Sequence, residues 1–259
     1  MIMNPKISVI TICYNAEKEI EKTMRSVLNQ SFDDFEYIIV DGASKDGTLG
    51  IIREISEEYQ DKAIRIYSEP DRGIYDAMNK GVKLAHGKWL NMMNAGDCFH
   101  DSNVLSNLFS LDISENISVI YSDSYLVYDN KKNVLVHHSL VHPPYGFCHQ
   151  AMIYKRCLHD EHGLYVFSRK LIIADTLFLI RLPAENFLKT DIIIADFAAG
   201  GASSIAGYTM QKQNLCAQYI FKERSFISVF FDYYTLRLRH VLIPDRFRQF
   251  IRRKLGRIE

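Results

Sequence analysis

Aspartates that follow apolar runs are the residues of this chain most suited to chemistry. Asp41 follows the run FEYIIV, Asp71 follows IRIYSEP, and Asp97 closes KWLNMMNAGD. One such aspartate commonly closes a turn. Three in successive strand–helix units favour a site for a polar ligand, because ligands of open α/β sheets bind beyond the carboxyl ends of the strands.

Asp97 has the chemistry of a ligand for a divalent metal ion. Neither a P-loop nor a G-x-G-x-x-G motif follows the first apolar run, so the sequence lacks those glycine-rich phosphate cradles. A bound diphosphate would then need a cation to neutralise it. Oxygen ligands at a strand end suit Mg2+ or Mn2+, and we therefore predict a metal–diphosphate contact at Asp97.

Another carboxylate stands inside an apolar segment of the second half. The run KLIIADTLFLIRL at 170–182 is almost wholly apolar around Asp175. Ile173, Leu177 and Ile180 have the spacing of a buried helix. Because an unpaired buried carboxylate is unfavourable, Asp175 is a candidate site residue.

Strands and helices alternate over residues 1–100 and would position these carboxylates. ISVITIC and FEYIIVD are typical of strands buried on both faces. AEKEIEKTMRSVLNQ and LGIIREISEEYQD have the pattern of amphipathic helices. The strand IRIYSEP, the helix IYDAMNKGVKLAHG and the apolar KWLNMMN follow. This alternation predicts a parallel sheet with crossover helices.

The pattern loosens after residue 100. The runs at 117–129 and 132–141 predict an antiparallel hairpin with the turn DNKK. The stretch at 190–204 predicts a late strand that enters a Gly/Ser-rich loop, either a linker or a lid. From 217 to 259 the chain is basic and aromatic, which fits an anionic membrane surface and equally a packed terminal helix with a solvated face.

Composition excludes several classes of protein. The 259 residues carry 31 Lys and Arg against 31 Asp and Glu, so no overall field recruits nucleic acid. The five cysteines lack zinc-site spacing and indicate reduced thiols. No signal-type segment or apolar run of roughly 18–20 residues is present. We predict a cytoplasmic protein, at most peripheral at the inner face of the cell membrane.

The first half of the sequence resembles a known enzyme family. SVITICYNAEKEIEKTMRSVLNQSFDDFEYIIVDGASKDGT resembles the opening of family-two glycosyltransferases with the GT-A fold. EPDRGIYDAMNKGVKLAHGKWLNMMNAGD resembles their next block. The resemblance is strong over 5–100, weaker to about 205 and absent beyond. The matching positions are Tyr14, Asn15, Gln30, Glu36, Asp41, Ser44, Asp46, Gly47 and Thr48.

The resemblance implies a GT-A-like α/β fold. We expect a mostly parallel central sheet flanked by helices, an antiparallel acceptor-side part and a helical basic C-terminal segment. The catalytic domain would span 1–216, with a nucleotide-sugar-binding half at 1–100 and an acceptor-side half at 101–216. The basic amphipathic segment would occupy 217–259.

The resemblance also implies transfer of a sugar, with inversion, from a nucleotide diphosphate donor to a hydroxyl. We expect a UDP-sugar donor and a glycan or polyprenyl-linked glycan acceptor of the cell envelope. Asp41 would hold the nucleobase or ribose, and Thr11 and Tyr14 would line the same pocket. Asp71 and Arg72 would also bind the donor, with the Arg72 guanidinium reaching a phosphate.

One motif departs from the family pattern. The family carries Asp-x-Asp where this chain has Asn94 and Gly96, so that Asp97 is the remaining acid. We predict that Asn94 contributes to the donor site. The Mn2+ or Mg2+ ion would then depend more on the diphosphate and water than on protein oxygens.

In the second half, the resemblance supplies candidates for the reacting groups. Inversion needs a base that deprotonates the acceptor hydroxyl, and IIADTLFLIRL resembles the segment that carries it, which makes Asp175 our prediction. CHQA resembles an acceptor-side loop, so His149 and Gln150 would orient the sugar or acceptor, although a structural role for His149 is as plausible. Gly201 and Ser203 would belong to a lid near the phosphates.

Two other functions stay open at this point. A sugar nucleotidyltransferase shares the broad α/β layout, but it would carry a glycine-rich, basic loop where this chain has CYNAEKEIEK. A degenerate subunit that binds a donor without catalysis would explain the incomplete Asp-x-Asp. The presence of both Asp97 and Asp175 argues against that reading.

Overall fold

The structure, a computed structural model, describes residues 4–128, 132–138, 148–168, 170–199, 207–221 and 223–242. It divides into a larger unit, Met1–Arg169 with Ala174–Ala198, and a smaller unit, Lys170–Ile173 with Ala199–Glu259. The strands, all in the larger unit, are β1 (Ile7–Cys13), β2 (Phe35–Asp41), β3 (Ile64–Ser68), β4 (Trp89–Met92), β5 (Cys98–Phe99), β6 (Val119–Ser122), β7 (Ser124–Tyr128), β8 (Lys132–Val136), β9 (Met152–Lys155), β10 (Phe187–Thr190) and β11 (Ala195–Ala198).

Helices flank these strands and also form most of the described part of the smaller unit. They are α1 (Ile20–Leu28), α2 (Thr48–Glu58), α3 (Ile74–Leu84), α4 (Val104–Phe109), α5 (Cys157–His162), α6 (Ala174–Leu179), α7 (Gly207–Ile220) and α8 (Phe226–Leu242).

The central sheet has seven strands in the order β10-β6-β9-β4-β1-β2-β3. Strands β4, β1, β2 and β3 run parallel, as do β10 and β6, and β9 is antiparallel to both of its neighbours. The predicted mostly parallel sheet is therefore confirmed. Every residue of β1 and β2 is buried, as their continuous apolar runs predict.

Register brings the carboxyl ends of the strands together. Cys13 at the end of β1 pairs with Asp41 at the end of β2. The amide of Ala95 donates to the carbonyl of Ile12, so the chain after β4 continues beside the end of β1. The amide of Glu69 likewise donates to the carbonyl of Asp41. The segments after β1, β2, β3 and β4 thus share one edge of the sheet.

Helix α3 packs unusually close to this sheet. A Cβ placed on Gly81 would lie 2.4 Å from Cγ2 of Ile10 in β1, so only glycine fits there. The contact fixes the amino-terminal turn of α3, which carries Tyr75, beside the edge where the strands end.

A second sheet has the order β5-β11-β7-β8. The predicted hairpin is confirmed in its antiparallel β7–β8 pair, and its turn at 129–131 lies outside the described residues. The first run differs from the prediction, because it divides at Asp123 between the two sheets. The Asp123 carboxylate accepts from the amide of His138 and pairs with Lys189 at 2.7 Å, which interrupts a continuous strand.

The predicted late strand at 190–204 is confirmed in β11, which belongs to the small sheet. The apolar pattern was also correct about burial, since Ile194 and Ala195 are fully buried. The pattern could not indicate that the preceding strand, β10, ends at Thr190 in the large sheet, so that the chain changes sheets between Thr190 and Ala195. The Gly/Ser-rich loop at 200–204 lies outside the described residues.

In the smaller unit, α7 holds the segment at 170–173 through Gln213. Its side chain accepts from the amide of Ile172 at 3.0 Å and donates to the carbonyl of Lys170 at 2.6 Å. The expected boundary at 216/217 falls within α7 rather than between elements. In the part of the chain that the structure describes, no helix has the length and hydropathy needed to cross a membrane.

Candidate active site

A cleft of about 380 Å³ opens at the shared edge of the large sheet. It lies where the segments after β1, β2 and β3 meet, which is where the sequence predicts a polar-ligand site. The lining residues are Tyr14, Gly42, Ala43, Lys45, Pro70 and Asp71.

The loop after β2 is held in an unusual conformation beside this cleft. Ala43 has φ +61°, in the left-handed region that is unfavourable for alanine, and Asn15 in the loop after β1 has φ +49°, which asparagine adopts more readily. The Asn15 side chain accepts from the amide of Lys45 at 2.8 Å, and the hydroxyl of Ser44 accepts from the amide of Asn15 at 2.8 Å. Such strain at a site indicates a functional constraint.

Gly42 permits the close approach of Asp71. A Cβ at position 42 would lie 2.3 Å from Oδ2 of Asp71 and 3.3 Å from the ring of Tyr14. The other carboxylate oxygen of Asp71 accepts from the amide of Gly73 at 2.8 Å. The wall of the cleft therefore consists of Tyr14 and Asp71 packed across a residue without a side chain.

Asp41 and Thr11 lie beneath the cleft and are not among the residues that line it. Asp41 is 0% exposed, and its carboxylate accepts from the amide and hydroxyl of Ser44 and from the hydroxyl of Ser68. Thr11 is also fully buried; its hydroxyl donates to the carbonyl of Met93 and bonds the hydroxyl of Tyr37. Their hydrogen-bonding capacity is used within the fold.

Arg72 lies on the surface next to the cleft. It pairs with Asp76 at 3.1 Å, and its guanidinium lies 4.2 Å from the ring centroid of Phe167. The hydrogen bond from Arg72 is the main reason that the pKa of Asp76 lies below its usual range. Lys45 is the cation that lines the cleft itself.

Asp97 ends the turn that follows β4, and it is buried. Its Oδ1 accepts from the amide of Ala198 at 3.0 Å, and its Oδ2 accepts from the side-chain amide of Gln150 at 2.7 Å. Burial raises the pKa of Asp97 to about 7, because these two hydrogen bonds and the Lys22 charge offset only part of the desolvation. The same turn begins at Asn94, whose carbonyl accepts from the amide of Asp97.

The donor set at this turn fits a weakly held hard cation. Oδ1 of Asn94 is buried and has no hydrogen-bond partner, although buried polar oxygens nearly always have one. It is an oxygen ligand of the kind that Mg2+ and Mn2+ take. No group of three or more His, Cys, Asp or Glu within the described residues could hold a metal, so Asp97 and Asn94 would share the ion with non-protein oxygens.

Asp175 stands in the first turn of α6. Its Oδ1 accepts from the hydroxyl of Tyr75 at 2.8 Å, and its Oδ2 lies 3.7 Å from Nδ1 of His149. The side chain is 20% exposed. Oδ1 is thus held by Tyr75, whereas Oδ2 has no hydrogen bond from the residues that the structure describes. Helix α6 is shorter than the predicted run at 170–182, since it starts at Ala174 and ends at Leu179.

His149 and Gln150 stand in a short 3-10 helix, His149–Ala151, between the two carboxylates. Gln150 bonds Asp97, as described above, whereas His149 faces Asp175. His149 is buried, and that burial lowers its pKa. Gly201 and Ser203, the predicted lid residues, lie outside the described residues.

The comparisons with known proteins identify the family. Residues 8–175 match the family described as Glycosyl transferase family 2. The chain belongs to this family. It is 29% identical over 218 residues to a PGL/p-HBAD biosynthesis glycosyltransferase of Mycobacterium tuberculosis, an alignment that covers 77% of this chain and 79% of that protein.

Solved glycosyltransferases share the fold of this chain. S. aureus TarS in complex with UDP-GlcNAc has a TM-score of 0.65 at 19% identity, over 82% of this chain and 66% of the other. A mannosyltransferase from Pyrobaculum calidifontis, in complex with GDP-Man and Mn2+, has a TM-score of 0.66 at 17% identity, over 92% and 70%. The protein is a glycosyltransferase with the GT-A fold.

Two residues of this glycosyltransferase's site were not predicted from its sequence. Tyr75 occurs in the motif GIYDAMN of the second block that resembles the family, and its hydroxyl donates to Asp175 one hundred positions away. Lys45 lies in the turn SKDG after β2 and lines the cleft. A signal for Lys45 was available, since it is the cation of that turn.

Proposed function

We propose that this glycosyltransferase inverts the configuration of the sugar that it moves from a nucleotide diphosphate donor to a hydroxyl of a glycan or lipid-linked glycan. The observation that supports the proposal most is Asp175, whose carboxylate has one oxygen held by Tyr75 and the other available. A base in that state can accept the proton of an incoming hydroxyl.

The donor would occupy the cleft at the sheet edge. Tyr14 offers an aromatic face to a nucleobase, and Asp71 can accept hydrogen bonds from a base or a ribose. Lys45 and Arg72 bring positive charge for the diphosphate. Asp41, beneath the cleft, would hold the loop after β2 in place through its hydrogen bonds with Ser44. We propose a UDP-sugar, and the S. aureus neighbour, which has UDP-GlcNAc bound, supports that choice.

Asp97 and Asn94 would hold a Mg2+ or Mn2+ ion at the diphosphate. A bound divalent cation neutralises the charge that develops on the leaving diphosphate. The Mn2+ in the Pyrobaculum neighbour supports this assignment. Gln150 would orient the Asp97 carboxylate through its hydrogen bond, in the way that outer partners orient metal ligands.

The chemical step then needs one proton transfer. Oδ2 of Asp175 takes the proton of the acceptor hydroxyl, and the hydroxyl oxygen forms a bond to the anomeric carbon on the face opposite the diphosphate. The bond from the anomeric carbon to the phosphate oxygen breaks, and its electron pair leaves with the nucleoside diphosphate. His149 and Gln150 would keep the groups around this step in place.

The test is to replace Asp175 with Asn and follow release of nucleoside diphosphate with a panel of nucleotide sugars and Mn2+. We expect kcat to fall by roughly 10²–10⁴-fold, because the amide cannot take the proton. Asp196→Asn is the matched control, since Asp196 is 19% exposed but pairs with His100. Turnover of Asp175→Asn within a few-fold of wild type would exclude Asp175 as the base.

The same assay separates the remaining alternatives. A sugar nucleotidyltransferase would release pyrophosphate instead of a nucleoside diphosphate. A subunit that binds donors without catalysis would bind a nucleotide sugar, as calorimetry would show, and release neither product with any acceptor.

A second element of the proposal is contact of residues 217–259 with an anionic membrane at the cytoplasmic face. Helix α8 exposes large apolar side chains at intervals of three and four residues. This spacing places them on one face of the helix, where they form a continuous stripe. Residues 217–259 also carry ten Lys and Arg against four Asp and Glu. Anionic lipid satisfies both features, since it attracts the charge and takes up the apolar face. The stripe is Ile227, Phe231, Tyr234, Leu238 and Val241.

Vesicle sedimentation with the full chain tests this contact. The double substitution Phe231→Ser with Leu238→Ser should weaken binding to phosphatidylglycerol vesicles by roughly tenfold or more, because two apolar side chains lose their burial. Val166→Ser is the control, since Val166 is 62% exposed outside this stripe. Equal binding by the double variant and wild type, or a concentration-dependent dimer that the double substitution abolishes, would overturn the membrane assignment.

A further inference from the structure

A continuous hydrogen-bond network runs from His149, next to Asp175, into the core of the larger unit. Nε2 of His149 lies 3.3 Å from the Tyr165 hydroxyl, which lies 2.7 Å from the Tyr154 hydroxyl. The Tyr154 hydroxyl lies 3.1 Å from Nε2 of His159. All four side chains are buried, so each hydrogen bond needs one defined donor and one defined acceptor.

The far end of this network fixes one proton. Nδ1 of His159 lies 3.0 Å from the carbonyl oxygen of Gly163, which can only accept, so Nδ1 carries a hydrogen. Burial lowers the pKa of His159 to about 4, and its ring is therefore neutral at neutral pH. Its Nε2 must then be an acceptor.

The donor and the acceptor of each remaining hydrogen bond follow from the acceptor role of His159. Tyr154 donates to Nε2 of His159, so its oxygen accepts from the hydroxyl of Tyr165. Tyr165 has no second hydrogen, so its oxygen accepts from Nε2 of His149. Both phenols keep their hydrogens at neutral pH, because burial raises the pKa of each.

Nδ1 of His149 therefore carries no hydrogen where it faces Asp175, the proposed base. Its ring is neutral, since burial lowers its pKa, and its hydrogen is on Nε2. Nδ1 therefore has a lone pair, which faces Oδ2 of Asp175 at 3.7 Å. With Oδ1 held by Tyr75, the ionised carboxylate gains no hydrogen bond from His149 that would compete with an acceptor hydroxyl.

We propose that His149 is a positioning residue that accepts a hydrogen bond from Asp175 only after Asp175 has taken the acceptor's proton. The two atoms are 3.7 Å apart, so a small approach of the side chains lets the new Oδ2–H group donate to Nδ1, and the protonated acid gains a partner that the carboxylate lacks. The network thus favours the state that follows proton transfer. The proposal rests on the role of Asp175 proposed above.

An isosteric pair of substitutions tests this role. His149→Asn keeps an amide oxygen near the position of Nδ1, whereas His149→Leu has nearly the same shape and no acceptor. We expect His149→Leu to lower kcat by about tenfold or more relative to His149→Asn, with the donor KM of the two within about twofold. A packing role predicts the opposite order, because leucine suits a buried aromatic surrounding better than asparagine. Equal kcat values, or a faster leucine variant, would overturn the proposal.

Nitrogen-15 NMR of the wild-type protein shows which nitrogen of His149 carries the hydrogen. The result depends neither on the folding of a variant nor on enzyme activity. Long-range ¹H–¹⁵N spectra distinguish the two neutral tautomers, and we expect His149 with its hydrogen on Nε2. A hydrogen on Nδ1 would refute the inference whether or not Asp175 is the base. Conversely, an active Asp175→Asn enzyme together with the expected tautomer would refute the proposed base and leave the proton order intact.

Discussion

The end of β2 and the start of α6 each carry an aspartate that the sequence marks as a candidate site residue, and the two differ in how much of their hydrogen-bonding capacity the fold already uses. Asp41 is 0% exposed and accepts hydrogen bonds from Ser44 and Ser68. Asp175 is 20% exposed and has one oxygen held by Tyr75. Asp175, the proposed base, therefore keeps hydrogen-bonding capacity that Asp41 has already used within the fold.

Asp97 lies between these extremes, because it is buried with one protein donor on each oxygen. Its oxygens still have lone pairs for a cation, and Oδ1 of Asn94 adds an unpartnered one. The three carboxylates therefore form a series in the hydrogen-bonding capacity that the protein uses, which is largest for Asp41, intermediate for Asp97 and smallest for Asp175. The predictions below test that series.

The largest effect is expected from the pH dependence of stability at Asp97. Because its folded-state pKa of about 7 lies above the usual 3.8, the folded state binds the extra proton, and stability falls as pH rises from about 4 to about 7. The loss approaches 1.4 kcal/mol per pH unit in that window. Urea unfolding of metal-free wild type and Asp97→Asn should show a smaller decline in the variant; parallel curves would contradict the buried, desolvated state of Asp97.

A comparable effect is expected at Asp41 from loss of its hydrogen bonds. Asp41→Ala should lower the free energy of unfolding by about 3 kcal/mol, because the amide and hydroxyl of Ser44 and the hydroxyl of Ser68 all lose their charged acceptor. Asp175→Ala should lower it by about 1 kcal/mol or less, since it removes a single hydrogen bond, the one from the Tyr75 hydroxyl. Denaturant titration of both variants measures the difference, and a larger loss at Asp175 would reverse our ranking.

A smaller effect is expected from crowding the donor cleft. Gly42→Ala would place a methyl group 2.3 Å from Oδ2 of Asp71, so the carboxylate must move, and we expect the donor KM to rise by about tenfold with kcat changed less. Gly50→Ala is the matched control, because nothing lies within 4 Å of a Cβ there and alanine favours its helix by roughly 0.5–1 kcal/mol. An unchanged KM in Gly42→Ala would remove Asp71 from the donor site.

The parallel sheet of residues 1–100 and its shared edge could be predicted from the sequence, since buried β-branched runs alternate with amphipathic helices. The position of Asp71 at that edge follows from this alternation, and the family resemblance supplied Tyr14. The surroundings of Thr11 and Asp41 could not be predicted, because a sequence indicates which end of a strand a residue occupies but not whether a neighbouring serine or tyrosine already uses its polar atoms.

The acceptor side was harder to predict because its contacts join distant parts of the chain. The Tyr75–Asp175 hydrogen bond spans one hundred positions, and the division of the run at 117–129 between two sheets depends on how Asp123 meets Lys189. Local periodicity contains neither piece of information. The family resemblance supplied Asp175, and the structure supplies the groups that hold it.

The comparison of the two aspartates is tested most directly by measuring kcat for Asp41→Asn and Asp175→Asn side by side, with donor and acceptor saturating and unfolding followed in parallel. We predict that Asp175→Asn loses roughly 10²–10⁴-fold in kcat while its stability stays near that of wild type. Asp41→Asn should keep kcat within about tenfold and lose stability. A folded Asp175→Asn enzyme with near-normal kcat, or the larger loss of kcat at Asp41, would contradict the account.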